Sequence, residues 1–124
     1  MTLARQRLGR GAEDLVARLL TEAGWIVVDR NARTRSGELD LIGLDGDTLV
    51  FVEVKAGRVG ARGGPERPAL AVGRAKQRRL RLLAREWLAQ RRSPSGVAGY
   101  RFDVVGVSFG GDGLADVDHI RNAF

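Results

Sequence analysis

The sequence predicts an α/β fold, a mixed β-sheet flanked by helices, with elements in the order α-β-β-β-α-β-β. Three observations carry this. Two long segments repeat apolar residues at helical spacing, five short ones are apolar, β-branched or alternating, and an Asp-Gly pair joins two of the short ones. At 124 residues the chain fits one domain, 1–124. Apolar residues make up 44% and charged residues 29%, the balance of a globular protein.

Taken in order, residues 1–8 read as a flexible lead. Gly9–Ala23 is the first helix, with Ala12, Leu15, Val16, Leu19, Leu20 and Ala23 on one stripe and Gly24 as a left-handed stop. Trp25–Val28 is a short strand, and Arg30–Gly37 a basic loop. Glu38–Leu44 and Asp47–Lys55 are strands joined by Asp45-Gly46, the signal for a two-residue type I′ hairpin. Ala56–Pro68, rich in Gly, Arg and Pro, reads as a mobile loop. The second helix spans Ala69–Gln90, with Leu80, Leu83, Ala84, Trp87 and Leu88 as its apolar stripe. Tyr100–Phe109 is a fourth strand, Gly110–Gly113 a turn and Leu114–Ile120 a fifth strand. Trp25, Trp87 and Tyr100 sit at core-like spacing. His119, the only histidine, reads as a packing or capping residue rather than a general base.

Net charge is +6, and nearly all the basic residues are Arg. Such a field favours polyanions, and the guanidinium fork suits phosphate; an Arg-biased genome explains the same composition. With no cysteine, disulfides and thiolate metal sites are excluded, in keeping with a cytoplasmic location. The N-terminal residues lack a signal peptide's apolar stretch, and no run reaches membrane-spanning length.

The hairpin carries the chemistry. With Asp45-Gly46 as the loop, Asp40 lies opposite Phe51, Leu39 opposite Val52 and Glu38 opposite Glu53. Leu39, Leu41, Val50, Val52 and Val54 then share an apolar face. The other face holds Glu38, Asp40, Glu53 and Lys55 at its open end, beside Ile42, Leu49 and Phe51. Like charges face to face destabilise a hairpin, and burying carboxylates without a counter-charge costs several kcal/mol each on a rough scale. Lys55 supplies one charge, and a hard divalent ion at Asp40 and Glu53 would supply the rest. A solvent-exposed strand end with a cross-strand Lys–Glu pair is the blander alternative.

Asp40 followed by Glu53-Val54-Lys55 resembles the D…(D/E)-x-K signature of the PD-(D/E)xK nuclease superfamily, whose fold is restriction-endonuclease-like and which includes archaeal Holliday-junction resolvases. The whole chain is more similar still to the YraN family of endonuclease-like bacterial proteins. The similarity rests on Gly11-Ala12-Glu13, Arg30–Arg33, Gly37–Ile42, Phe51–Lys55, Arg101–Val104 and His119–Phe124. Leu39 stands where the superfamily has Pro. Gly57, followed by Arg58, stands where the family commonly has a basic residue.

This resemblance implies that Asp40 and Glu53, with the Val54 backbone carbonyl, hold Mg²⁺ or Mn²⁺. It implies that Lys55 orients or helps deprotonate the attacking water, and that Glu13 matches the first-helix acid of the resolvases. A first-turn Glu favoured by the helix dipole is the alternative for Glu13. Glu38, Lys76 and Gln77 are expected around the metal ligands, with an exposed helix face the alternative for the last two. Arg33, Arg35, Arg58, Arg74 and Arg78 are expected to contact phosphate.

The function implied is metal-dependent endonucleolytic cleavage of DNA, with branched or non-B structures as candidate substrates. A non-catalytic nucleic-acid-binding module with the same fold is the alternative, and a scaffold using its basic helix on an acidic partner a third. A homodimer would suit cutting of two strands. No membrane partner is expected.

Overall fold

The computed structural model describes residues 2–58, 72–90, 92–110 and 114–124; the side chains of residues 2–10 and 58 lie outside that description. The elements are α1 (Thr2–Glu22), β1 (Ile26–Arg33), β2 (Glu38–Asp45), β3 (Thr48–Arg58), α2 (Arg74–Ala89), β4 (Gly99–Phe109) and β5 (Ala115–Ile120). This is the predicted α/β order. The strands form one five-stranded sheet in the order β1-β2-β3-β4-β5, antiparallel throughout except for the parallel β3–β4 pair. That parallel pair needs a crossover, and α2 lies within it.

Each helix covers one face. Ala12, Val16, Ala17 and Leu20 of α1 pack on Leu41, Val50, Val52, Val105 and Val107, with Trp25 closing the far end. Leu80, Leu83, Ala84 and Trp87 of α2 pack on Ala32, Leu39, Ile42, Leu49 and Phe51. The two clusters use alternate residues of β3, as a strand buried on both faces must. Among the described residues, no helix is long and apolar enough to cross a membrane.

Several boundaries differ from the sequence expectation. Helix α1 begins at Thr2 rather than Gly9, because Gly9 and Gly11 weaken a helix by about 1 kcal/mol each without ending it. Glu13 therefore lies mid-helix, and the first-turn dipole explanation for it falls. Strand β1 runs on through Arg30–Arg33, expected as loop, because those residues pair with Glu38–Leu41. Strand β3 continues through Ala56–Arg58, also expected as loop, because Ala56, Gly57 and Arg58 pair with Val107, Ser108 and Phe109. The rest of the expected mobile loop, the first residues expected of the second helix and the turn at 111–113 lie outside the described residues. Tyr100, near the start of β4, is 59% exposed rather than packed.

The hairpin turn is Gly46-Asp47, one residue later than expected, with Asp45 paired to Thr48. A type I′ turn needs positive φ at both central residues, whereas here only Gly46 has it, at 62°. A glycine at the first central position with an ordinary second residue fits a type II′ turn. Asp45 instead stays in the strand, its carboxylate paired with Arg101 at 3.0 Å. The shift moves each cross-strand partner by two residues. An even shift leaves the side chains of the paired stretch, Leu41–Asp45 with Thr48–Val52, on their original faces.

On the α1 face beyond Trp25 lies a buried polar knot. The Asp103 carboxylate, fully buried, accepts from Arg101 Nε at 2.8 Å and Nη2 at 3.0 Å, and from the Asn122 N–H at 2.9 Å. His119 Nε2 lies 2.7 Å from its Oδ2, and the His119 ring meets Trp25 edge-on at 5.8 Å. Burial alone would raise the Asp103 carboxyl, but His119, Arg101 and the Asn122 N–H outweigh it and hold it below its ordinary value. His119 is thus the packed, hydrogen-bonded residue expected. The same knot fastens the chain after β5, where the Ala123 N–H bonds to the Phe102 carbonyl and Phe124 stacks on Phe102.

Candidate active site at a fork in the sheet

The β2–β3 ladder ends at Leu41 paired with Val52. Beyond it, β2 stays paired with β1 through Leu39–Ala32 and Glu38–Arg33, while β3 stays paired with β4 to Arg58. The sheet therefore forks between β2 and β3, and the next residues on the two prongs are Asp40 and Glu53. The expected pairing of Asp40 with Phe51 and of Glu38 with Glu53 is replaced: the register, continued from Leu41–Val52, sets Asp40 opposite Glu53. The expected face changes too. Leu41 packs under α1, but Leu39 packs with Ala32 against α2, so side-chain alternation breaks across Asp40.

A fork leaves backbone donors and acceptors without ladder partners, and buried ones must find others. The Val54 N–H donates to Asp40 Oδ2 at 2.9 Å, so a side chain replaces the missing strand. Within a strand, the N–H and C=O of one residue point to the same side. The Val54 carbonyl therefore also faces the fork, as the resemblance requires of a third ligand.

The electrostatics at the fork are costly. Asp40 is half-buried and Glu53 is only 8% exposed. Burial and the nearby Glu53 charge push the Asp40 carboxyl up to about 7, against the lowering effects of the Val54 N–H and Lys76. The Glu53 carboxyl thus adjoins that of Asp40 closely enough to disfavour a charge on Asp40. Lys76, from the first turns of α2, places Nζ 3.3 Å from Glu53 Oε1.

A second pair of acids adjoins the first. Glu13 on α1 is half-buried, and its carboxyl is raised by burial, by Asp40 and by Glu38, with Arg30 opposing. Two carboxylates can only accept, so the Asn31 amide is assigned with its nitrogen towards them, donating to Glu13 Oε2 at 2.9 Å and to Glu38 Oε1 at 3.2 Å. Arg30 pairs with Asp14, one residue along α1. Sequence reasoning missed Asn31. The available signal was an Asn, a residue tolerant of the left-handed region, inside a stretch that then proved to be strand.

The remaining expected site residues divide. Lys55 is half-buried on β3, two residues from Glu53 and on the same strand face. The Gln77 side chain turns away to donate to the Val72 carbonyl at 3.1 Å, steadying the start of α2. Arg33, Arg35, Arg74 and Arg78 are all exposed, and the Arg58 side chain lies outside the described residues. The loop carrying Arg35 is clamped to α2. Ser36 donates to Glu86 through N at 2.9 Å and Oγ at 2.6 Å, and Arg79 Nη2 donates to the Ser36 carbonyl at 2.8 Å.

Among the described residues, no three His, Cys, Asp or Glu side chains converge closely enough to enclose a metal on their own. The donor set still fits one kind of ion. Mg²⁺ is held by one or two carboxylates and keeps several waters, and Asp40, Glu53 and the Val54 carbonyl supply hard oxygen on one side only.

These features define a class: an α/β domain with a five-stranded mixed sheet between two helices and paired carboxylates where two strands part. The profile of Uncharacterised protein family UPF0102 matches residues 12–107. The chain belongs to that family. A UPF0102 protein of Rhodococcus opacus is 51% identical over 117 residues, covering 94% of this chain and 95% of the relative. One from Streptomyces griseus is 48% identical, covering 95% and 96%. A third, from Geobacter metallireducens, is 40% identical over 124 residues, covering 100% of this chain and 97% of its own. The YraN resemblance holds at the level of this family.

Proposed function

We propose that the protein hydrolyses phosphodiester bonds in DNA with Mg²⁺ or Mn²⁺ at the fork, as members of the PD-(D/E)xK superfamily do. One observation carries the reading. Two carboxyl groups, of Asp40 and Glu53, meet largely withdrawn from solvent where the β2–β3 strand pair opens, and Asp40 takes the Val54 N–H that the missing strand leaves. Structural acids are normally neutralised by fixed donors, whereas Asp40, raised to about 7, has one backbone donor and is left able to exchange a proton for a cation. Asp40, Glu53 and the Val54 carbonyl would hold the ion. A bound divalent ion lowers the pKa of its water and polarises a phosphoryl oxygen. Lys55, on the Glu53 face of β3, is suited to orient the attacking water and to face charge developing on the phosphate. Arg35 on its clamped loop and Arg74 and Arg78 on α2 offer exposed cations for the flanking phosphates.

A nicking assay on plasmid, single-stranded and four-way-junction DNA with Mn²⁺ tests this. Wild type should cleave, Glu53→Gln should be inactive, and Lys55→Met should lose about 10²–10⁴-fold, the usual worth of proton-transfer catalysis. Cleavage by Glu53→Gln at the wild-type rate would remove the site from the reaction. The non-catalytic nucleic-acid-binding module is favoured by one observation, the Lys76–Glu53 ion pair, which gives Glu53 a cation from the protein itself. Salt-dependent DNA binding with no cleavage of any substrate would establish that alternative.

A further inference from the structure

The Asn31 side chain has no part in the fold's core and none in the ligand set above, yet its place is specific. Arg30 pairs with Leu41 and Ala32 with Leu39, so the register sets Asn31 directly across β1–β2 from Asp40. Its φ is 48°, in the left-handed region, while its neighbours are strand. A residue in the ordinary strand conformation would direct its side chain by simple alternation. Asn31 instead turns its amide towards Glu13 of α1 and Glu38 of β2.

The chemistry of that amide matters. Two carboxylates repel each other, and something must hold them together. A Lys or Arg would do so by adding a positive charge, competing with any cation for the same field. A carboxamide nitrogen has two hydrogens and no charge, so it bridges two acids while leaving them anionic. Glu13 lies near enough to Asp40 and Glu38 for their charges to raise its carboxyl.

We infer that Asn31 is a positioning residue of the cation site, holding Glu13 of α1 beside the Asp40–Glu53 fork so that its carboxylate meets the hydration shell of a divalent ion. This rests on the metal-dependent reading above. Glu13 reaches the site from a helix, on a flexible side chain, and without the bridge it is free to turn towards Arg30 or solvent. Outer partners of this kind typically contribute 10–100-fold to metal affinity.

The test is Mn²⁺ titration calorimetry on the full chain, with variants chosen for the left-handed backbone. Asn31→Gly removes the amide while keeping that conformation, and Asn31→Asp keeps the shape but replaces the donor with an acceptor. Both should unfold in urea at a midpoint near that of wild type. Asn31→Gly should weaken Mn²⁺ binding about 10-fold, and Asn31→Asp should weaken it at least as much. Glu13→Gln should match Asn31→Gly, and the double variant should lose no more than either alone, because both remove one arrangement. Wild-type affinity in Asn31→Gly, or additive losses in the double variant, would overturn the inference while leaving the metal site standing. A wild type that binds no Mn²⁺ overturns the metal site itself and the role of Asn31 with it.

Discussion

Asp40 and Asp103 are both aspartates withdrawn from solvent within the same sheet, and they are treated in opposite ways. Asp103 is surrounded by donors: the Arg101 guanidinium, His119 and a backbone N–H. Its carboxyl is held below its ordinary value despite complete burial. Asp40 has one backbone donor and faces a second acid, and its carboxyl rises to about 7. A buried charge that is fully hydrogen-bonded fixes a structure, whereas one left short of partners keeps a capacity for exchange. The knot therefore reads as architecture and the fork as the candidate site.

The largest effect should come from breaking the knot. Asp103→Ala leaves the mostly buried Arg101 guanidinium without its main partner and frees the Asn122 N–H. Urea unfolding should show a loss of about 3–5 kcal/mol. The same measurement on Asp40→Asn should move the other way at pH 8, a gain of about 1 kcal/mol, since the change removes repulsion from Glu53. If both variants were destabilised equally, the contrast between the two acids would fail.

Mn²⁺ sharpens the comparison. At a free concentration 100 times its dissociation constant, the ion should stabilise wild type by about 2.7 kcal/mol in thermal melts and should leave Asp40→Asn unmoved. Asp103 variants that still fold should respond like wild type.

The remaining effect is the pH slope. The folded Asp40 carboxyl lies above its unfolded value, so its contribution to stability is full below about pH 4 and is lost as pH rises through about 7. Asp103 has the reverse sign, with a contribution present above its unfolded value and lost as pH falls through its lower folded one. Wild type should therefore lose stability between about pH 4 and 7 in metal-free buffer, the window between the two Asp40 values. Asp40→Asn should flatten that slope, which unfolding midpoints across the range would reveal.

Most of the fold and half of the site were legible in the sequence, for physical reasons. Apolar periodicity marks α1, α2 and the strands because each must bury one face or two. Glu53 and Lys55 were legible together because they alternate on β3, and Asp40 because a hairpin displaced by two residues still brings it to the same end of β3. The register itself was not, since Asp45-Gly46 and Gly46-Asp47 both satisfy turn chemistry and Arg101, distant in sequence, draws Asp45 into the strand. The fork was hidden because alternation assumes that pairing continues, and nothing in Leu39-Asp40-Leu41 marks where it stops. Asn31 was hidden in a run of basic residues that resembles a loop. Asp103 could have been found: a lone acid between Phe102 and Val104-Val105 in an apolar strand signals a buried charge in need of donors.

The placement of the two tryptophans has an optical consequence. Trp25 lies in the layer under α1, its ring so near β2 that a Cβ on Gly43 would sit 2.8 Å from it, and Trp87 lies in the layer under α2, edge-on to Phe51 at 5.9 Å. Each layer of the sandwich thus carries its own fluorophore. A Trp25→Phe protein reports, through Trp87, on the face of β3 that bears Phe51 and Glu53, where a cation would enter. A Trp87→Phe protein reports through Trp25, which lies edge-on to His119 at 5.8 Å and so senses the Asp103 knot. Two single-tryptophan proteins would therefore resolve, by colour and intensity alone, whether ligand binding and acid act on opposite sides of one sheet.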